Sequence, residues 1–509
     1  MSLNEPGALA GTNSAYGERH GLRERALGGA IWSAAGMAFT FVVQFAVAMA
    51  LARLLSPRDF GLMAIAALVC NFAMVFGEMG IGMAVVQRRD VSDVQLSSFF
   101  ALNLLSSSIL AGALSLAAPL IAAYFKSPEA APLVRLSSLG LPLGALGLSH
   151  GYLLQKELSF KLYSIAGAIA AVAYGIVGIA AAAIGAGAAS LAWAFLAQQG
   201  ALSTFLWVFC PWRPRLSQMS LKSLSGMLSF GFNLTGERIV GYFGDNIDTA
   251  VVGRFLGATS LGFYNMAWKM TMFPASRIPP VVSRVAFPAL SIVQENKRKV
   301  REAYLQMLRH MALIAFPLLS IVAILAPELI LLVYGRGWEP AVVLVQLLAV
   351  AGCLRMIGTI VGSVFYSQGR PDLSFRLILL DLGISAALIP LGARWGAEGV
   401  AGAVSAFYAI AVFIDFIVVC RLIELELSEV ARALLAPSTA ALAMSACVAA
   451  VRFYGQSLGL APGPILAAGS FTGVLAYGIA MFLLDRKAAS DFAKTAAIAI
   501  DSARARSAA

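Results

Sequence analysis

Ten ionisable side chains fall inside long apolar stretches of the sequence: Glu237, Arg238, Asp245, Asp248, Lys269, Arg277, Arg284, Arg355, Asp381 and Asp415. A charge at the centre of a membrane helix costs about 2.5–3.5 kcal/mol on insertion scales, so each is a functional candidate by default. Arg238, Gly241, Asp245 and Asp248 recur at i, i+3, i+7 and i+10. That spacing predicts one shared helical face. Arg277 and Arg284, seven apart, share another, although Pro274, Pro279 and Pro280 must kink that helix. If the two stretches fold as an antiparallel hairpin near Gly257, residues whose numbers sum to about 514 lie at one depth. Asp245 and Lys269 then match and are expected to pair. Arg238 and Arg277 match deeper, with like charge, and need an anion or carboxylate between them. Arg238, Lys269, Arg277, Arg284 and Arg355 thus outline a cationic ladder suited to a phosphate or pyrophosphate. Asp245, Asp248, Asp381 and Asp415 are candidate coupling or structural acids. The competing reading is that Glu237 neutralises Arg238 while Arg284 reaches to the interface.

The elements that must hold these residues follow from composition. Of 509 residues, 60% are hydrophobic and 12% charged, against about 25% charged in soluble domains. Too little polar surface remains to cover a globule in water. Runs of roughly 20 apolar residues, the length that spans a bilayer, recur from Gly29 to Leu484. We read an all-α polytopic membrane protein with about fourteen spans: 29–52, 60–78, 97–123, 132–153, 162–184, 189–210, 225–253, 261–288, 310–333, 341–367, 375–392, 399–420, 433–451 and 463–484. Residues 162–212 carry no charge, and Gly185-Ala186-Gly187 supplies a turn within them. Residues 1–26 are polar and do not resemble a signal peptide.

Loop basicity sets the orientation. With the N-terminus cytoplasmic, inside segments hold 24 Lys and Arg, outside segments 8 and the spans 5, which recovers all 37. Both termini are therefore expected in the cytoplasm, and the net charge of +11 reflects anchoring against anionic lipid and requires no nucleic acid. The longest connection, about 289–309, is too short for a catalytic or nucleotide-binding domain. No GxxxxGK[ST] loop is present. Five dispersed cysteines and three dispersed histidines (His20, His150, His310) give no metal-ligand spacing. No catalytic residue, metal or cofactor is expected.

An internal repeat is visible. Arg53-Leu54-Leu55-Ser56-Pro57-Arg58-Asp59-Phe60-Gly61 follows the first span, and Arg254-Phe255-Leu256-Gly257-Ala258-Thr259-Ser260-Leu261-Gly262 follows the seventh, at an offset of 201. Leu158-Ser159-Phe160-Lys161 and Leu373-Ser374-Phe375-Arg376 echo each other before spans five and eleven. Copies six spans apart enter the membrane in the same direction, which predicts two six-helix lobes related by a pseudo-two-fold axis along the membrane normal. The expected organisation is a cytoplasmic tail (1–28), an N-lobe (29–210), a cytoplasmic linker (211–224), a C-lobe (225–421), two further helices (430–484) and a cytoplasmic tail (485–509).

Several of these segments resemble a known family. Arg53 to Leu62 is similar to the "R-L-L-x-P-x-x-F-G" segment of oligosaccharide flippases. Leu261-Gly262-Phe263-Tyr264-Asn265, Phe287-Pro288-Ala289-Leu290-Ser291 and Tyr334-Gly335-Arg336-Gly337-Trp338 resemble that family's "L-G-x-Y", "F-P-A-L-S" and "Y-G-x-x-W" segments. The resemblance covers about 25–420. It points to polysaccharide transporters of the Wzx kind, within the multidrug/oligosaccharidyl-lipid/polysaccharide exporter superfamily. It implies a flippase that moves polyprenyl-diphosphate-linked oligosaccharide from the cytoplasmic to the outer leaflet of a bacterial inner membrane by alternating access. Implied partners are that lipid-linked glycan, membrane lipid, and, further out, polysaccharide polymerase and chain-length machinery. H+ or Na+ coupling stays open. A drug exporter of the same superfamily would favour acids inside spans one to six, which are nearly free of them. A membrane polymerase or glycosyltransferase would need larger loops.

Overall fold

A computed structural model describes residues 36–486 except 79, 89 and 216–218, together with Trp32; within 221–237 and 280–289 many side chains are left undescribed. The 1–28 tail and most of the 485–509 tail lie outside the described residues, as do the side chains of Glu237 and Arg284. Among the described residues the structure is helical, without strands.

The helices are α1 (Gly36–Leu54), α2 (Pro57–Glu78), α3 (Ile81–Gln87), α4 (Asp93–Tyr124), α5 (Ala130–Ser138), α6 (Gly140–Lys156), α7 (Phe160–Ala183) and α8 (Ala189–Phe209). They continue with α9 (Ser225–Ile292), α10 (Lys297–Ile324), α11 (Ala326–Val333), α12 (Ala341–Gly358), α13 (Ile360–Ser367), α14 (Pro371–Gly392), α15 (Gly396–Ile423), α16 (Leu427–Ser457) and α17 (Pro462–Leu484). Among the described residues each apolar run read from the sequence falls on one helix or on two in succession. Ten helical segments among the described residues are long and apolar enough to cross a membrane. The chain is a multi-pass membrane protein.

Local chemistry explains where helices begin and break. Ser56-Pro57-Arg58-Asp59, in the first repeat motif, is a capping box. Asp59 Oδ2 accepts from the Ser56 backbone N–H at 2.9 Å and from its hydroxyl at 2.6 Å, while Asp59 N–H donates to Ser56 Oγ at 3.3 Å. Pro57 at the first helical position loses no intrahelical hydrogen bond. Ser92 and Gln95 form the same reciprocal cap at the start of α4. Gly185 and Gly187, both at positive φ, end α7 and set up α8, as the turn signal predicts. Gly257, at φ 83 and ψ 174, interrupts α9 with a backbone that only glycine adopts readily.

The helices also run past the expected hydrocarbon limits. α10 begins at Lys297, so the expected twenty-residue connection at 289–309 shrinks to Val293–Asn296. Asn296 caps it by accepting from Lys299 N–H at 3.2 Å, and Arg298 pairs with Glu302 one turn on at 3.0 Å. Charged residues outside the lipid simply continue the helix.

The chain divides into two units. Unit 1 comprises residues 1–54, 69–122 and 128–239; unit 2 comprises 55–68, 123–127 and 240–509. In unit 1 the segment after α8 is fastened to the start of α4, with Arg215 N–H donating to Ser97 Oγ at 3.0 Å and Ser220 N–H to Ser98 Oγ at 2.9 Å. In unit 2 the two repeat motifs touch. A Cβ on Gly61 would lie 1.7 Å from Ala258 O, and a Cβ on Gly262 would lie 1.8 Å from Pro57 O. Each pair maps onto the other through the offset of 201. Such reciprocity is what a local two-fold relation produces. Beside it Trp338, 2% exposed, packs edge-on against Phe60 at 5.2 Å and Phe263 at 6.0 Å. Three of the family-like motifs therefore meet at one place.

Also in unit 2, Glu328, 4% exposed, accepts from Arg452 Nε and Gln456 Nε2, each at 2.8 Å, on the same oxygen. This ties α16 to α11.

Candidate functional site: charges within the apolar helices

The hairpin geometry read from the sequence is present in α9. Asp248 and Tyr264, whose numbers sum to 512, face each other, with Tyr264 OH donating to Asp248 Oδ2 at 2.6 Å. Asp248 is 5% exposed and also accepts from the Thr249 backbone N–H at 2.6 Å. Gly253 approaches Leu261 at the same level.

The expected pair of Asp245 and Lys269 does not form. Asp245 Oδ1 instead accepts from Arg355 Nη2 at 3.1 Å, and Arg355 Nη1 donates to Tyr408 OH at 3.0 Å. The level rule fixes depth but not direction around the helix. Gly257 breaks the helical phase between the two arms, and the guanidinium of α12 reaches the carboxylate that Lys269 does not. The shared face also splits. Three residues turn an α-helix about 60° short of a full circle, and Asp245 is exposed while Asp248 is buried.

Arg238 lies in unit 1, where its Nη1 is 2.5 Å from Glu78 Oε2. Glu78, at the end of α2, is the carboxylate that neutralises it.

Two of the five candidate cations are therefore neutralised. Lys269 and Arg277, both exposed on the second arm of α9, have no carboxylate within ion-pair distance among the described residues. Arg277 lies over the Phe273 ring at 5.5 Å, a cation–π contact that offsets part of its desolvation. Arg284 is on the same helix, its side chain outside the described residues. Asp381 on α14 and Asp415 on α15 make no hydrogen bond or ion pair among the described residues. No cluster of three or more His, Cys, Asp or Glu able to hold a metal occurs among the described residues.

Many apolar helices and a two-fold repeat at glycine contacts define a multi-pass membrane protein with an internal repeat. The fold is similar to that of the lipid II flippase MurJ in its inward closed conformation, with a TM-score of 0.74 and 16% identity over 89% of this chain and 98% of that one. The chain belongs to the polysaccharide biosynthesis protein family, whose model matches residues 50–343. It is 32% identical over 324 residues to the teichuronic acid biosynthesis protein TuaB of Bacillus subtilis (strain 168), covering 62% of this chain and 67% of TuaB. It is 29% identical over 383 residues to the lipopolysaccharide biosynthesis protein WzxC of Escherichia coli (strain K12), covering 74% of this chain and 77% of WzxC. The resemblance drawn from the motifs is borne out at the level of the family.

Proposed function

We propose that this protein is a flippase that carries polyprenyl-diphosphate-linked oligosaccharide from the cytoplasmic to the outer leaflet of a bacterial inner membrane, for surface or exopolysaccharide synthesis. The observation that carries this reading is the pair of cations Lys269 and Arg277, which meet no carboxylate among the described residues. Two such charges in one apolar helical arm cost several kcal/mol unless an anion meets them. Eight residues separate them, about 12 Å along the axis, within the combined reach of two long side chains directed at one diphosphate. Membership of a polysaccharide biosynthesis family supplies the class of anion.

On this reading the chain crosses the membrane fourteen times with both termini cytoplasmic. Two six-helix lobes alternate in access, and α16 and α17 stand outside the repeat. Arg355, held by Asp245, is a cation that a diphosphate can recruit by displacing a carboxylate, whereas Arg238 stays neutralised by Glu78. Asp381 and Asp415 are the acids suited to taking up H+ or Na+. Asp248, enclosed by Tyr264 and Thr249, acts structurally. On this reading the protein transports its substrate chemically unchanged. A polymerase and chain-length machinery are its downstream partners.

The test is genetic depletion followed by analysis of membrane lipids. A polyprenyl-diphosphate-linked glycan should accumulate with its sugars facing the cytoplasm, and K269E/R277E should not restore export. Normal glycan export on depletion would overturn the proposal.

A further inference from the structure

Unit 1 contains a cavity of about 270 Å³ enclosed by α2, α4, α6, α7 and α8, just below the range of about 300–1,000 Å³ usual for small-ligand sites. Its polar wall consists of Glu78, Asn103, Ser107, Gln155, Tyr163 and Gln199. Asn103, 3% exposed, donates from Nδ2 to Gly77 O at 2.8 Å; its Oδ1 is closed off from the cavity and has no partner among the described residues. The amides of Gln155 and Gln199 likewise make no hydrogen bond among the described residues, and each brings two donors and an acceptor. Gln199 stands in the stretch 162–212 that carries no charge.

The charge balance selects the ligand. Glu78 is the carboxylate of the wall, and Arg238 neutralises it at 2.5 Å. A diphosphate would meet a carboxylate with no free cation beside it. A metal ion would compete with the guanidinium already in place. What fits is a neutral molecule dense in hydroxyls, able to give and take hydrogen bonds with amides and to lay an apolar ring face on Tyr163. The size suits one sugar ring. Gly144, whose added Cβ would come 3.4 Å from Gln199 Oε1, keeps that wall open.

We infer that this cavity is a monosaccharide subsite, which reads one sugar of the transported glycan through Gln155 and Gln199. The inference rests on the flippase reading but assigns glycan recognition to unit 1, apart from the cations proposed for the diphosphate.

The experiment measures binding to the full-length protein in lipid nanodiscs. The probes are undecaprenyl diphosphate without sugar and undecaprenyl diphosphate carrying a single glucose, galactose or N-acetylglucosamine. At least one sugar-bearing lipid should bind more tightly than the bare lipid. Gln199→Leu and, separately, Gln155→Leu should each weaken that lipid about tenfold, the loss of one or two hydrogen bonds, and leave the bare lipid unchanged. Equal loss for both lipids, no loss for either, or no preference for any sugar-bearing lipid in the unsubstituted protein would overturn the inference while bare-lipid binding upholds the flippase reading. Failure of all four lipids to bind would remove the flippase reading itself.

Discussion

Replacing Gly61 or Gly262 by alanine should separate two helices that now touch backbone to backbone. The added Cβ would lie 1.7 Å from Ala258 O in the first case and 1.8 Å from Pro57 O in the second. Ordinary contact begins near 3.4 Å, so the substitutions demand displacements of about 1.7 Å and 1.6 Å respectively. The obstructing atoms are backbone carbonyls in helices, which cannot rotate aside. Overpacking of this kind costs about 1–3 kcal/mol or more. Because the contacts are reciprocal, the separation forced by one alanine makes room for the other. The double variant should therefore fall short of the sum of the two single variants by at least about 0.5 kcal/mol. Gly167→Ala, on α7 with open space around its Cβ, is the control and should stabilise by up to about 1 kcal/mol. Unfolding of the purified protein in detergent, followed by tryptophan fluorescence, gives all four values. Additive effects, or single losses no larger than the control's change, would refute the reciprocal packing of the two motifs.

Other expectations come from buried polar contacts. Tyr264→Phe removes the hydroxyl that donates to buried Asp248 and should cost about 1–3 kcal/mol, read by the same unfolding assay. Arg452→Ala leaves the buried Glu328 carboxylate with Gln456 as its remaining donor; a loss of about 3–5 kcal/mol is expected, largely recovered when Glu328→Gln is added. At the end of α15, the hydrogen bond from Lys297, with Arg301 beside it, holds the exposed Glu424 carboxyl below its usual range. A carboxylate lowered in the folded protein contributes above its unfolded value and loses that contribution as pH falls through the lowered one. Amide exchange at the start of α10 should accordingly rise as pH falls below the ordinary glutamate value of about 4.3, and Glu424→Gln should abolish the pH dependence.

Much of the fold is legible in the sequence because each apolar run has only the helix available to it in lipid. The breaks at Gly185, Gly187 and Gly257 were signalled by residue type. The repeat at offset 201 anticipated Gly61 and Gly262, although their mutual contact needed coordinates. The site was less legible. Depth along a hairpin is arithmetic on residue numbers, and it correctly levels Asp248 with Tyr264. Direction around the helix depends on Gly257 and on which neighbour packs alongside, so Arg355 rather than Lys269 meets Asp245. Glu78 near a span end gave no sign that Arg238, 160 residues later, would find it. The amides of the unit 1 cavity carry no charge, so composition and charge patterning do not single them out. Gln199, an amide within a stretch of fifty uncharged residues, was the signal available.

The central claim is tested most directly by reconstitution. Purified protein in liposomes, supplied with a sugar-bearing polyprenyl diphosphate confined to one leaflet, should transfer the sugars to the other leaflet, where added glycosidase cleaves them. K269E/R277E protein should transfer no faster than empty liposomes. Transfer by the double variant at the unsubstituted rate, or no transfer by the unsubstituted protein under either a proton or a sodium gradient, would contradict the account.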